Sequence, residues 1–176
     1  MWRRTALLLP RGRQPGEGPT GFPVNRTAAA AGVRAAETGP DWRVTLRAGE
    51  RVVVLDRAAL LAMAQHTARL PIACVEGWST LQTWTGVRLS DLAALVGAGA
   101  PASAHVRSLE KAGLFNQATL QANQVLDPDS LLALGVNGAD LSLDHGYPAR
   151  IIVPALPGVH CTKWVAEIEF RTRTDG

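Results

Sequence analysis

The stretch that decides the fold is Trp42-Arg43-Val44-Thr45-Leu46-Arg47-Ala48-Gly49-Glu50-Arg51-Val52-Val53-Val54-Leu55. β-Branched and apolar residues flank Gly49-Glu50 on both sides, the pattern of two strands joined by a tight turn, so a hairpin over 42–46 and 51–55 is predicted. Asp56 follows at once and can cap a helix over 58–66, where Leu60, Leu61 and Ala64 fall at helical spacing. A hairpin running into a short helix, rather than a repeated strand-helix unit, sets the expectation for the whole chain. That expectation is an α+β fold rich in β, with mixed β-sheets and short helices.

Working outward, Ser90 is a second candidate cap, and Leu92, Leu95 and Val96 form the apolar side of a helix that Gly97 and Gly99 should end. Further strands are expected over 104–109, 150–153 and 164–170. A chain of 176 residues, 47% of them hydrophobic, supports one sizeable core and not two comfortable domains. The division expected is a flexible basic lead or juxtamembrane linker over 1–21, a folded domain over 22–172 and a short tail over 173–176. Arg3, Arg4 and the run Ala6-Leu7-Leu8-Leu9 before Pro10 are too short for a usual signal peptide. No later stretch approaches the roughly 18 apolar residues of a spanning helix.

The formal net charge is +3, yet residues 1–34 hold six Arg against one Glu, so the remainder is slightly acidic. The basicity belongs to the lead. No Lys/Arg ladder with interleaved aromatics runs through the body, which argues against a nucleic-acid surface. Two cysteines, Cys74 and Cys161, lie too far apart in sequence to define a disulfide framework or a four-ligand zinc site.

The residues that can carry chemistry are few. Cys74, in Cys74-Val75-Glu76-Gly77-Trp78-Ser79, is either a buried small hydrophobe or a thiolate ligand to a soft or redox metal. In the second case the other ligands must come from a cofactor bringing its own sulfur. His145, in Asp144-His145-Gly146-Tyr147-Pro148, reads as a hydrogen-bonded loop residue or a ligand contact. Arg150 opens an otherwise apolar strand, Ile151-Ile152-Val153, so its head either reaches solvent or meets an anion. Lys163 follows a Gly-containing loop whose amides could join it in cradling a phosphate.

Taken together, these residues resemble the molybdopterin-binding domain of the sulfite oxidase family. The resemblance covers about residues 22–170. It is carried by Cys-Val-Glu-Gly-Trp-Ser at 74–79, Trp84-Thr85-Gly86-Val87, Val-Asn-Gly at 136–138, His-Gly-Tyr-Pro-Ala-Arg-Ile-Ile-Val-Pro at 145–154, and Lys163-Trp164-Val165. It implies a sulfite oxidase-type α+β domain holding molybdenum on a pyranopterin dithiolene. Cys74 then matches the catalytic metal ligand. Asn25, Ser108, His145, Arg150, Cys161, Thr162 and Lys163 match cofactor contacts, and Tyr147 and Trp78 are candidates to line a substrate funnel.

The wording after Cys74 departs from sulfite oxidases, which continue through Gly and Asn to Arg, whereas Glu76, Gly77 and Trp78 follow here. An anion such as sulfite needs cations beside the metal, and this segment offers none. The wording is similar to the bacterial branch around the catalytic subunit of methionine-sulfoxide reductase. The resemblance therefore implies oxygen-atom transfer on a small or protein-bound S- or N-oxide, with electrons exchanged with a separate partner, such as a membrane cytochrome. Sulfite oxidase-like oxidation and a cofactor-free degenerate binding domain are the alternatives.

Overall fold

The computed structural model describes residues 18–73, 79–154 and 161–173. Two five-stranded sheets face each other. The first is built from β1 (Arg43–Ala48), β2 (Arg51–Asp56), β5 (Ser103–Ser108), β6 (Gln117–Gln121) and β10 (Val165–Arg171), in the order β2-β1-β10-β5-β6. The predicted hairpin is its edge, with Arg43 opposite Asp56 and Ala48 opposite Arg51 across Gly49, whose φ of 55° is the left-handed conformation that the tight turn requires. The last strand, β10, lies between β1 and β5, parallel to the first and antiparallel to the second.

The second sheet contains β3 (His66–Ala73), β4 (Ser79–Arg88), β7 (Leu131–Val136) and β8 (Ala139–Asp140), with β9 (Arg150–Ile152) also paired to β7. β7 bulges at Leu134, between the partners of Thr85 and Gly86, where β4 crosses it. A Cβ on Gly86 would lie 2.1 Å from the Leu132 carbonyl oxygen, so this crossing admits no side chain.

Alternation along the strands divides the apolar residues between two layers. Between the sheets lie Val44, Leu46, Val106, Ile168 and Phe170 from the first, against Val87, Leu132, Leu134 and Ile151 from the second. Leu60 of α1 (Arg57–Ala62) and Leu92 of α2 (Leu89–Leu95) close this core. The opposite face of the second sheet carries Trp84, Leu131, Ala133, Val136 and Ile152, packed with Phe22, Tyr147 and Cys161. That outer layer forms the floor of the candidate site.

The α+β expectation and the strands near 104–109, 150–153 and 164–170 agree with the structure. Both predicted helices shift. Asp56 does cap α1, accepting from the Ala59 amide at 2.7 Å, but the helix stops at Ala62. Gln65 Nε2 donates to the Leu60 and Met63 carbonyls, closing off the helix end, and His66 already belongs to β3. Ser90 lies inside α2 and does not cap it, because Leu89 is drawn fully into the core and starts the helix after Arg88. Gly97, at φ 78°, ends it as expected.

Candidate cofactor site

The site is assembled where chain segments meet at the outer layer of the second sheet. Residues 18–28 run across it in turns and bends, followed by the short 3₁₀ turn Leu143–His145 with Gly146, the start of β9, the segment 161–164 before β10, and the end of β5. Cys74 and Trp78 lie outside the described residues.

Arg150 pairs with Ala133 across β9 and β7, which places it on the outer face beside Trp84. It is only 3% exposed. Its guanidinium lies 5.2 Å from the Trp84 ring centroid, donating from Nη1 to the His145 carbonyl (3.0 Å) and from Nη2 to the Cys161 carbonyl (3.2 Å). Nε is buried without an acceptor, and no carboxylate among the described residues forms an ion pair with this cation. Burial lowers its pKa to about 10, so it is still charged at neutral pH. A buried cation with an unused donor is a group that an anion would stabilise.

His145 is locked as a neutral ring. Nε2 donates to the Phe22 carbonyl (3.1 Å) and Nδ1 accepts from the Ser142 hydroxyl (2.7 Å), which assigns the single ring proton to Nε2. Burial first, then repulsion from Arg150 and Lys163, pushes its pKa down to about 4. With both nitrogens engaged, the imidazole orients the loop and has no free position for proton transfer. The Phe22 ring lies between His145 and Trp84, at 3.9 and 5.8 Å between centroids.

Lys163 uses all three ammonium hydrogens, donating to Asn25 Oδ1 (3.2 Å) and to the carbonyls of Arg26 (2.5 Å) and Asp144 (2.8 Å). Burial and Arg150 push its pKa down to about 7, while Asp144 and Glu110 act the other way. The oxygen triad favours the ammonium form. Ser108 Oγ donates to the Lys163 carbonyl (2.7 Å) and accepts from the Glu110 amide (3.0 Å), tying β5 to the segment before β10. Cys161 contributes its carbonyl to Arg150, while its thiol is free and buried, which raises its pKa. Thr162 is 3% exposed, and its Oγ1 is unpaired. Gly146, at φ 112°, makes the close fit possible: a Cβ there would meet Arg150 Cβ at 3.0 Å and Lys163 Cγ at 3.1 Å.

Asn25, Ser108, His145, Arg150, Cys161, Thr162 and Lys163 thus converge on one polar neighbourhood. Tyr147 stands apart from that network. It packs on the outer apolar layer, with the Arg57 guanidinium 5.0 Å from its ring centroid. Sequence reasoning missed Ser142, Asp144, Phe22, Arg26 and Glu110, none of which carries a motif signal. It also missed Trp84 as the floor under Arg150, although that residue had been singled out within its motif. Among the described residues, no group of three or more His, Cys, Asp or Glu could hold a metal ion.

The two-sheet architecture has a counterpart among solved structures. The chain aligns with a subunit of the sulfane dehydrogenase SoxCD from Paracoccus pantotrophus with a TM-score of 0.68 at 24% identity, over 76% of this chain and 39% of the other. The model of the oxidoreductase molybdopterin-binding domain family matches residues 30–176, and the chain belongs to that family. Similar proteins include the uncharacterized oxidoreductase YuiH of Bacillus subtilis, 34% identical over 62% of this chain and 54% of the relative. The protein-methionine-sulfoxide reductase catalytic subunit MsrP of Burkholderia mallei is 31% identical over 75% of this chain and 44% of its own length. Mouse mitochondrial sulfite oxidase is 33% identical over 51% of this chain and 18% of its own. The chain therefore spans about half the length, or less, of these relatives.

The residues present fit a molybdopterin. Arg150 Nε and Thr162 Oγ1 are buried and unpaired, and Gly146 lets the loop close directly on Arg150 and Lys163. An anionic phosphate and a polar pterin ring meet the needs of such a donor set.

Proposed function

We propose that this domain is a molybdenum-dependent oxidoreductase that transfers an oxygen atom to or from a small or protein-bound S- or N-oxide, exchanging electrons with a separate redox protein. The observation that carries the reading is Arg150, a buried guanidinium with an unused Nε and no carboxylate partner among the described residues. Desolvating such a charge is costly unless an anion fills the space, so the fold has kept a cation that its own residues do not neutralise.

In this reading Arg150 and the neighbouring backbone bind the anionic end of the cofactor, with Trp84 as a hydrophobic floor. Lys163, Asn25, Ser108, Thr162 and the Cys161 backbone enclose the pterin. His145 stays neutral, holds Phe22 in place and adds no further positive charge. Cys74 supplies the metal thiolate. The cofactor, when bound, supplies the oxygen-atom and electron chemistry at its metal, while the chain orients it and screens it from water. The names of the relatives support a sulfur substrate: protein-methionine-sulfoxide for one and sulfite for another. The basic lead before residue 22 suits a place beside anionic lipid and a membrane cytochrome-like donor. Among the described residues, no helix is long and apolar enough to cross a membrane.

The test is metal and pterin analysis of protein from a molybdenum-replete, cofactor-competent host, with wild type beside Cys74→Ser. Equimolar molybdenum and pterin in the wild type, with altered metal spectra and loss of sulfoxide reduction in Cys74→Ser, is the expected result. Folded wild type holding neither metal nor pterin would withdraw the reading.

A further inference from the structure

Residues 19–28 have no strand or helix ladder, so side-chain tethers must hold them in place. They also lie ahead of residue 30, where the family match begins. Asn137 Nδ2 donates to the Pro19 carbonyl (2.8 Å), His145 to that of Phe22, Lys163 to Asn25 and Arg26, and the Ala28 amide donates to Asp144 Oδ1 (2.9 Å). The segment is thus one wall of the cradle. Most of these tethers involve the cradle residues themselves, so a ligand entering the cradle competes with them.

One tether stands apart. Glu110, its side chain 3% exposed, meets Arg26 Nη2 at 2.8 Å, and Arg26 Nη2 also reaches the Ala112 carbonyl at 3.5 Å. Gly113, at φ 137°, turns the loop tightly against this pair, leaving 2.7 Å between a Cβ built there and Glu110 Oε1. The contact is an ion pair without hydrogen-bond geometry, and separating it would leave a carboxylate buried without its cation. The Glu110 carboxylate makes no hydrogen bond to Arg150, His145 or Lys163, although its charge favours the Lys163 ammonium, so a ligand in the cradle does not displace the ion pair directly.

We propose that Glu110 is a positioning residue for the cofactor: by bridging to Arg26 it latches residues 19–28 across the cradle and sets how fast the cofactor leaves. The inference rests on the molybdopterin reading above. It distinguishes a latch, which acts on one segment, from a buried ion pair that merely stabilises the whole domain.

The experiment uses the full chain loaded in a cofactor-competent host, comparing wild type, Glu110→Gln, Gly113→Ala and the neighbouring control Lys111→Ala. Pterin release is followed by the fluorescence of oxidised pterin in a filtrate, and amide exchange is read over 19–28 and over β4 and β7. Glu110→Gln is nearly isosteric, and Gly113→Ala crowds the same carboxylate from the loop side, so either variant alone can carry the test. Both should release pterin roughly tenfold faster and exchange faster over 19–28, with β4 and β7 unchanged, whereas Lys111→Ala should match wild type. Release within twofold of wild type, or acceleration of exchange throughout the sheet, overturns the latch. Wild type that carries no pterin removes the cofactor reading and the latch with it, whereas loaded wild type with unaltered release in Glu110→Gln removes the latch alone.

Discussion

Arg150 and Lys163 show how a pair of side chains can define a site before any ligand is considered. Arg150 is buried and left without a carboxylate, whereas Lys163 is half-buried and satisfied by oxygen atoms of the crossing segment and of Asp144. Gly146 is what lets them approach the same loop. Gly146→Ala adds a Cβ at positive φ against both side chains, so a loss of about 2–3 kcal/mol in urea unfolding is expected, together with reduced pterin retention. His145 gives a pH signature in the cofactor-free protein. Its folded pKa of about 4 lies below the ordinary histidine value of 6.5, so the unfolded chain takes up the proton first. The stability tied to its neutral form is complete above pH 6.5, declines as pH falls towards 4, and is flat below. Comparing wild type with His145→Gln by urea midpoints should show an extra decline of about 2 kcal/mol in the wild type over that window, allowing for solvent screening.

Elements were legible in the sequence where one face is buried and the other is wet. β1 and β2 gave themselves away by a glycine turn between β-branched runs, and β5 and β10 by alternation. β7 did not, because Leu131, Leu132, Ala133 and Leu134 are all buried and an apolar run has no period to read. β3 and β4 were masked by a different cause: their polar Thr, Gln and Arg residues resemble loop sequence, and only pairing with each other and with β7 makes them strands. The weakest point for substitution is where those strands cross. Gly86→Ala places a methyl group into the Leu132 carbonyl, so a loss above about 3 kcal/mol or failure to accumulate soluble protein is expected, measured by expression and denaturation. Asp56→Ala removes a cap at the start of α1 and should cost about 1 kcal/mol, without change in pterin content.

For the molecule as a whole, the sequence singled out polar residues that the structure gathers in one place, but not what holds them there. His145, Arg150 and Lys163 stood out as polar groups in apolar or glycine-bearing strings. Their supports, Phe22, Ser142, Asp144 and Glu110, are ordinary residue types whose significance arises only when distant segments meet. Binding a cofactor to such a site stabilises the folded state by mass action, so the loaded protein should melt above the empty one and lose that margin when pterin is released. Scanning calorimetry on both forms checks this.

The position of β10 has a consequence for how the chain comes into being. Because the final strand is the middle of the first sheet, the β1–β2 and β5–β6 hairpins remain unjoined while the ribosome is still adding residues before Val165. Cys161, Thr162 and Lys163 emerge immediately before it. Joining the two halves of the sheet and delivering Cys161, Thr162 and Lys163 therefore happen in one step of biosynthesis, and a nascent chain stalled short of that strand has neither.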